Sequence, residues 1–203
     1  MGDDQPAPLG LRERKKRETR DALSWAVIRL SVERGWDDVT IADAAAAANV
    51  SERTFRNYFS TKAEALAARH LDRMLQAAAE LRAGPPDEPL WEAVTNAVVN
   101  QFDAPEPQSR QWTDAIRVIL SEPEIEQGLL KATAAAQREL AAAIAARTGT
   151  DVQRDLYPTL VAAAAGAATT AAMEHWLRAD PPVAIGALVR QAFDQMHTGL
   201  PVP

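Results

Sequence analysis

Apolar residues recur at helical spacing through most of the chain, and stretches in which apolar and polar residues alternate are missing. In the first periodic segment, Leu23, Val27 and Leu30 fall on one face of a helix, as in an amphipathic helix that packs on a core. Ala is abundant throughout, and Ala has the highest helix propensity of all residues. The pattern therefore predicts an all-α protein.

Residues that start and end helices divide this pattern into about nine segments. Gly35 ends the first helix, and Asn49 stands where the chain must leave the second in a left-handed conformation. Thr40, with Asp43, predicts a capping box, and Ser51 predicts the N-cap of the third helix. The predicted helices span 12–34, 41–48, 52–59, 62–82, 88–103, 108–120, 122–147, 152–179 and 183–197.

Composition narrows the class of protein. With 203 residues, of which 47% are apolar, the chain can bury a substantial core. The start, MGDDQPAPLG, is acidic and rich in Pro, which predicts a disordered tail over 1–11 and no secretory signal. The absence of Cys excludes disulfides and thiolate metal sites, as expected of a cytoplasmic protein. The run 157–173 holds mostly Ala, Thr and Gly and is shorter than the roughly 20 residues of a membrane span, so no membrane association is expected.

Charge is distributed unevenly along the chain. The net charge is −6, but residues 1–62 hold 11 basic and 10 acidic residues, whereas residues 63–203 hold 11 and 18. The segment 11–20 alone has six basic and two acidic residues. A nucleic-acid partner would therefore meet the N-terminal part, because the acidic remainder repels phosphate.

The segment TIADAAAAANVSERTFRNYF (40–59) predicts two short helices around a tight turn, which is the arrangement of a helix-turn-helix. Phe55 and Phe59 anchor one side of the second helix. The rest of that helix carries side chains that suit base edges and phosphates: Arg53, Thr54, Arg56, Asn57 and Tyr58. From the pattern alone, an ordinary solvent-facing helix is an equally good interpretation, since helix pairs with short turns are common.

Residues 30–66 resemble the DNA-binding domain of the tetracycline-repressor (TetR) family. The shared features are a Gly that closes the first helix, a following aromatic, Thr before the second helix, Val-Ser, Thr in the third helix, Tyr-Phe at its end and a Lys shortly afterwards. The chain departs from the family pattern at Asn49, where Gly is usual, at Ala44, where a larger aliphatic is usual, and at Arg56, where Tyr is usual.

The resemblance implies roles for individual residues. Contacts to backbone phosphates are implied for Thr40, Ser51, Tyr58 and Lys62, and base edges are assigned to Arg53, Thr54, Arg56 and Asn57. Because Arg56 replaces Tyr, it is expected either to bind a phosphate or to read a base. The basic segment 12–17, with Arg14, Lys15, Lys16 and Arg17, is expected to be a flexible arm along or in the minor groove.

The resemblance also implies a C-terminal domain, here 63–199 after a DNA-binding domain at 12–62, that forms a homodimer on a pseudo-palindromic operator. Small residues in 162–172 allow a second helix to approach closely, and the last helix carries a continuous apolar stripe. The candidate interface residues are Ala164, Ala168, Ile185, Leu188, Val189, Phe193 and Met196. A helix pair inside a single chain remains the alternative for these residues.

In this family the same domain binds a small-molecule effector. An apolar cavity with a few polar groups is expected to be lined by His70, Met74, Trp91, Thr95, Val98, Phe102, Trp112 and Ile116, although each of them also suits an ordinary core. Segments such as SEPEIEQGLL are similar to actinobacterial members with an acyl-CoA-like ligand domain, which suggests a bulky apolar effector. Repression is the commoner mode of the family.

Enzymatic motifs are missing from the sequence. It contains no nucleophile elbow, Walker loop, dinucleotide-binding Gly pattern or His-Glu-x-x-His motif, and its three His residues are too scattered to suggest a metal site. A regulator without catalytic residues, metal or cofactor is therefore expected. A helical scaffold that binds no DNA is the remaining alternative.

Overall fold

The structure, a computed structural model, describes residues 11–102 and 109–200. Within these ranges the chain forms nine α-helices and one short 3-10 helix, and no strand occurs, which confirms the all-α prediction. The helices are α1 Leu11–Arg34, α2 Ile41–Ala47, α3 Glu52–Tyr58, α4 Lys62–Ala83, α5 Leu90–Val99, α6 Arg110–Leu120, α7 Pro123–Thr148, α8 Leu156–Arg178 and α9 Ile185–His197, with the 3-10 helix at Asn100–Phe102 after α5. Of the tail predicted over 1–11, residues 1–10 lie outside the described residues, and Leu11 is instead the first residue of α1.

The chain divides into two compact units, Met1–Arg69 and His70–Pro203. In the first unit, Leu23 and Val27 of α1 are buried together with Phe55 and Phe59. The two Phe rings lie edge to face with their centroids 5.7 Å apart, a favourable arrangement for aromatic pairs. The Arg69 guanidinium of α4 lies 3.8 Å from the centre of the Trp25 ring of α1. The buried Phe55 and Phe59 thus hold one face of α3 in the core, and the Arg69–Trp25 contact joins α4 to α1.

The flexible arm expected at 12–17 is corrected by the structure, because these residues form the first turns of α1. Arg, Lys and Glu favour helices, and the side chains of Arg14 and Glu18 approach to 3.9 Å one turn apart. The Thr19 hydroxyl also donates to the carbonyl oxygen of Lys15, 2.9 Å away. Arg14, Lys15, Lys16 and Arg17 are all exposed, so the basic segment is part of α1, as the helical pattern from residue 12 predicted, and not a flexible arm.

In the second unit, α8 packs against α7 and α9. Its small residues Ala162, Ala165, Ala168 and Ala172 are buried, and the row ends at buried Trp176. Because Ala has the smallest side chain that keeps helix propensity high, neighbouring helices approach α8 closely. Among the described helices, α8 is also the one whose length and apolar composition would suffice to cross a membrane, but its buried face belongs to this core.

Several helices begin later than predicted. The start of α8 moves from 152 to Leu156 because the carboxylates of Asp151 and Asp155 hold a turn: Asp151 N donates to Asp155 Oδ2 and Gln153 N donates to Asp151 Oδ1, both at 2.8 Å. Such Asx turns compete with helix. The starts of α5 and α9 each move by two residues and follow extended N-cap residues, Pro89 and Ala184.

Candidate nucleic-acid interface

The start of α2 is fixed by the predicted capping box, which the structure confirms. The Thr40 hydroxyl accepts from Asp43 N at 3.1 Å and itself donates to Asp43 Oδ2, which also accepts from Thr40 N at 2.9 Å. The hydrogen bonds from the Thr40 side chain and backbone, with the Arg34 guanidinium 3.7 Å away, lower the pKa of the Asp43 carboxyl. The exposed Thr40 is therefore rigidly placed.

The turn between α2 and α3 adopts the conformation that the sequence predicts. Asn49 has a φ of 54°, in the left-handed region that Asn tolerates better than most residues. The next amide, Val50 N, donates to the Ala45 carbonyl at 3.0 Å and closes the end of α2. Ser51 then caps α3, and its hydroxyl accepts from Thr54 N at 3.1 Å. A short, rigid connection between the two helices results.

The exposed face of α3 carries the predicted base-reading side chains. Phe55 is fully buried and Phe59, which follows the last helical residue, is 1% exposed. Opposite them, Arg53, Arg56 and Asn57 are exposed, while Thr54 and Tyr58 are half-buried at the flanks. The structure therefore brings the predicted polar residues of α3 together on a surface that is free of the core.

Arg56 is held by an acidic neighbour on the same helix. Its Nη2 lies 2.8 Å and its Nε 3.2 Å from Glu52 Oε1, one turn earlier. This pair was not foreseen in the sequence, although the spacing of four residues is its signal. Since one guanidinium has five N–H donors, Arg56 keeps donors for a base or phosphate, but in an orientation fixed by Glu52.

Lys62, the implied phosphate ligand at the start of α4, makes contacts within the protein. Its ammonium donates to the main-chain carbonyls of Trp36 and Val39, the second at 3.0 Å, and lies 4.2 Å from the centre of the Trp36 ring. The side chain is half-buried. Two of its three N–H donors are thus directed into the connection between α1 and α2.

The candidate effector residues lie in or against the core of the second unit. Met74, Val98 and Phe102 are buried, and Trp91, Trp112 and Ile116 pack against them partly buried. Several polar groups already have partners: Thr95 Oγ1 donates to Trp91 O at 2.7 Å, and Trp91 Nε1 donates to Phe193 O at 3.1 Å. His70 Nε2 lies 3.2 Å from Thr133 Oγ1. Burial and, secondly, the charge of Arg73 lower the pKa of His70.

One polar group in this core was missed by the sequence analysis. Trp176 is 4% exposed, and its indole Nε1 is buried with no hydrogen-bond partner among the described residues. A buried donor left unpaired costs about 1–3 kcal/mol. The signal in the sequence is that Trp176 continues the buried row of Ala residues on α8, which places a large side chain with one donor inside the unit.

The candidate dimer residues divide into two groups. Ala168, Ile185, Val189 and Phe193 are buried within the single chain, so their side chains have no surface left for a partner. For these four, the alternative of a helix pair inside one chain describes the structure. Ala164, Leu188 and Met196 are half-buried. The outer face of α8 instead carries exposed Leu156, Tyr157, Leu160, Ala163 and Ala167.

Comparison with known proteins agrees with this arrangement. Residues 26–68 match the family of bacterial regulatory proteins called the tetR family, and residues 88–201 match the family described as the MftR C-terminal domain. The HTH-type transcriptional regulator TcmR of Streptomyces glaucescens is 28% identical over 96% of this chain and 90% of its own length. MftR of Mycobacterium tuberculosis, named for the regulation of mycofactocin biosynthesis, is 29% identical over 92% and 93%.

Solved structures share the fold at lower identity. A TetR-family regulator of Syntrophomonas wolfei is 19% identical, with a TM-score of 0.61, over 92% of this chain and 98% of its own. The fatty acid degradation regulator FadR of Bacillus halodurans is 17% identical, with a TM-score of 0.59, over 91% and 97%. Since the MftR-type match covers more than half of the chain and the tetR match covers its helix-turn-helix, this protein belongs to the TetR family of transcriptional regulators, with a C-terminal domain of the MftR type.

Proposed function

We propose that the protein represses transcription by binding a pseudo-palindromic DNA operator as a homodimer, and that a largely apolar effector in the second unit releases it. One observation supports the DNA-binding step above all others. The helix α3 is capped at Ser51 and anchored by Phe55 and Phe59, so that Arg53 and Asn57 stand exposed on a rigid base. Arg pairs with guanine and Asn with adenine through two hydrogen bonds each in the major groove.

Phosphate contacts would set the register of α3 on the duplex. The hydroxyls of Thr40 and Ser51 stand at the starts of α2 and α3, where the helix N-termini favour anions. Both hydroxyls already accept from Asp43 N and Thr54 N as caps, so the earlier N–H groups of the first turns of α2 and α3 are the additional donors. Tyr58 is half-buried beside Phe59 with ring centroids 6.4 Å apart, which orients its phenol. The exposed basic start of α1 supplies further charge for phosphate.

The outer face of α8 is the surface we assign to the homodimer. Leu156 is 74% and Leu160 57% exposed, and Ala163, Ala167 and Thr170 continue the same face at helical spacing. Small residues allow two helices to approach closely, and exposed Leu side chains gain about 0.8 kcal/mol per buried methylene. A two-fold operator requires two reading helices about 34 Å apart, which one chain cannot supply.

Trp176 supports one chemical class for the proposed effector. A largely apolar ligand within the core of the second unit that also carries one hydrogen-bond acceptor would satisfy the unpaired indole N–H of Trp176. A long-chain acyl thioester has both features. The effector must prefer the released state, since a shift from 1:99 to 99:1 requires a preference of about 10⁴-fold.

The first test is selection of bound duplexes from a random-sequence pool, followed by affinity measurements at several salt concentrations. We expect a two-fold symmetric consensus, and an affinity whose logarithm falls with the logarithm of salt concentration by about 0.9 per phosphate neutralised. The duplex that carries this consensus, the selected duplex, is the DNA used in all further binding measurements. No binding at low salt, or a flat response to salt, would support the helical scaffold instead.

The second test adds CoA thioesters of increasing acyl length to the complex with the selected duplex, with free CoA as reference. We expect long-chain thioesters to release the protein, and Trp176→Phe to require about tenfold more ligand because the N–H donor is lost. Trp25→Phe is the matched control, because Trp25 lies on α1 in the first unit, outside the candidate effector residues, and the Phe ring can still face the Arg69 guanidinium. Equal responses of both variants would exclude Trp176 as the donor, and release by no thioester would exclude this effector class.

A further inference from the structure

We propose that Lys62 acts as a positioning residue: it holds the connection between α1 and α2 in the DNA-binding geometry and does not act as a phosphate ligand. The inference rests on the proposed DNA-binding function and deepens it. Lys62 Nζ donates to two main-chain carbonyls, those of Trp36 and Val39, and lies over the Trp36 ring, 4.2 Å from its centre. Three contacts therefore converge on one ammonium group.

The contacts of Lys62 are directed inward. Trp36 and Val39 are 6% and 2% exposed, so the carbonyl cluster lies against the core of the first unit. Val39 N also donates to Trp36 O, at 3.4 Å, and the ammonium thus binds both ends of one turn. Hydrogen bonds from a charged donor are roughly twice as strong as neutral ones, and a half-buried cation over an aromatic ring is stabilised further. A phosphate would have to compete with all of these partners.

The position of this turn bears directly on the DNA-contacting residues. Val39 is followed by Thr40, which caps α2 with its hydroxyl. The other end of α2 leads through Asn49 to the cap of α3 at Ser51, and α2 packs against α3. Because α2 and α3 are seven residues each, neither is long enough to hold its position without such contacts. Lys62 therefore connects the start of α4 to the start of α2.

The two roles of Lys62 predict different salt dependences. A phosphate ligand releases counterions, so its loss lowers the salt slope by about 0.9 for each subunit bound. A positioning residue leaves the number of neutralised phosphates unchanged, and its loss weakens binding at every salt concentration alike. Loss of the turn would also expose the backbone amides of residues 36–45 to exchange with solvent, and this effect does not require DNA.

The experiment compares full-length wild type with Lys62→Met, which keeps an apolar stem for the Trp36 ring and removes the ammonium. We expect affinity for the selected duplex to fall by about tenfold or more, as for loss of a charged hydrogen bond. The salt slope should stay unchanged, and amide exchange at 36–45 should rise in the DNA-free protein. An unchanged exchange rate with a slope lowered by about 0.9 per subunit would overturn the proposal.

Two further variants separate positioning from charge and from general unfolding. Lys62→Gln is neutral but still donates N–H groups to carbonyls from a side chain one atom shorter. It should therefore retain part of the amide protection at 36–45 and part of the DNA affinity. If it lost as much of both as Lys62→Met and the salt slope also fell, the proposal would be contradicted. Lys16→Met, on the exposed start of α1, should lower the slope without changing exchange at 36–45. If wild type shows no salt-dependent DNA binding, the proposed function fails, and the exchange data still decide whether Lys62 holds the turn.

Discussion

Replacement of Arg53 and Asn57 together by Ala is expected to reduce affinity for the selected duplex to the value for duplex of random sequence, a loss of about 10³-fold or more. Each bidentate contact to a base contributes about 1–3 kcal/mol of discrimination against the wrong base, and a dimer makes each contact twice. The fold should persist, because both side chains are exposed and the anchors Phe55 and Phe59 are untouched. Fluorescence anisotropy with both duplexes at one fixed salt concentration measures the change.

The matched control removes side chains of the same types elsewhere. Arg29 is exposed on α1, where it lies 4.0 Å from Glu33, and Asn100 is exposed at the end of α5. The double variant Arg29→Ala, Asn100→Ala should retain the preference for the selected duplex. If the variant of Arg53 and Asn57 retained it equally, α3 would not be the reading helix, and the base contacts would have to be sought on another surface.

Local signals in the sequence were sufficient for the geometry of the helix-turn-helix. The caps and the turn depend on hydrogen bonds between residues at most five positions apart, those of Thr40 with Asp43, of Asn49 and of Ser51. Such short-range hydrogen bonds can be predicted from the sequence without knowledge of the fold. The aromatic anchors followed from helical spacing alone. For the basic segment 12–17 the residue pattern, which predicted a helix from residue 12, is confirmed, and the flexible arm implied by the family resemblance is wrong.

Long-range partners could not be predicted from the same signals. Lys62 meets carbonyls 23 and 26 residues away, and Arg147 of α7 donates to the carbonyls of Leu81, Pro85 and Glu88, some 60 residues away. Every residue has a main-chain carbonyl oxygen, so a cation that binds one has no particular partner residue type that the sequence could reveal. In such cases the sequence shows a positive charge, and only the fold shows whether it faces solvent or protein.

The same limit explains the candidate dimer residues. The apolar stripe of α9 was correctly recognised, but the sequence does not say whether a stripe is filled by its own chain or by a partner. In the structure α9 packs against α8 and α5, and Val189 and Phe193 are fully buried there. The exposed face of α8 lacked a comparable signal because its middle carries Ala163 and Ala167, and Ala also occupies the buried face of the same helix.

Ala167→Glu is expected to dissociate the homodimer and to reduce affinity for the two-fold selected duplex by about 10²-fold or more. Ala167 is exposed in the middle of the outer face of α8, so the change leaves the folded chain intact, but in a close helix pair it would bury two unpaired carboxylates related by symmetry. In the dimer, binding of one subunit to its half-site holds the second subunit close to the other half-site at a high effective concentration. A monomer loses this increase in affinity.

Sedimentation velocity and anisotropy, measured on the same samples, test this prediction. Ala146→Glu is the matched control with the same change of charge, because Ala146 is exposed on α7 about half a turn around the helix from Gln137, the side chain that lies against α8 at Gly166. The control should remain dimeric with unaltered DNA affinity. If Ala167→Glu stayed dimeric while binding DNA normally, the α8 face would be excluded as the interface. A monomer that still bound the two-fold duplex with wild-type affinity would show that each subunit binds its half-site independently.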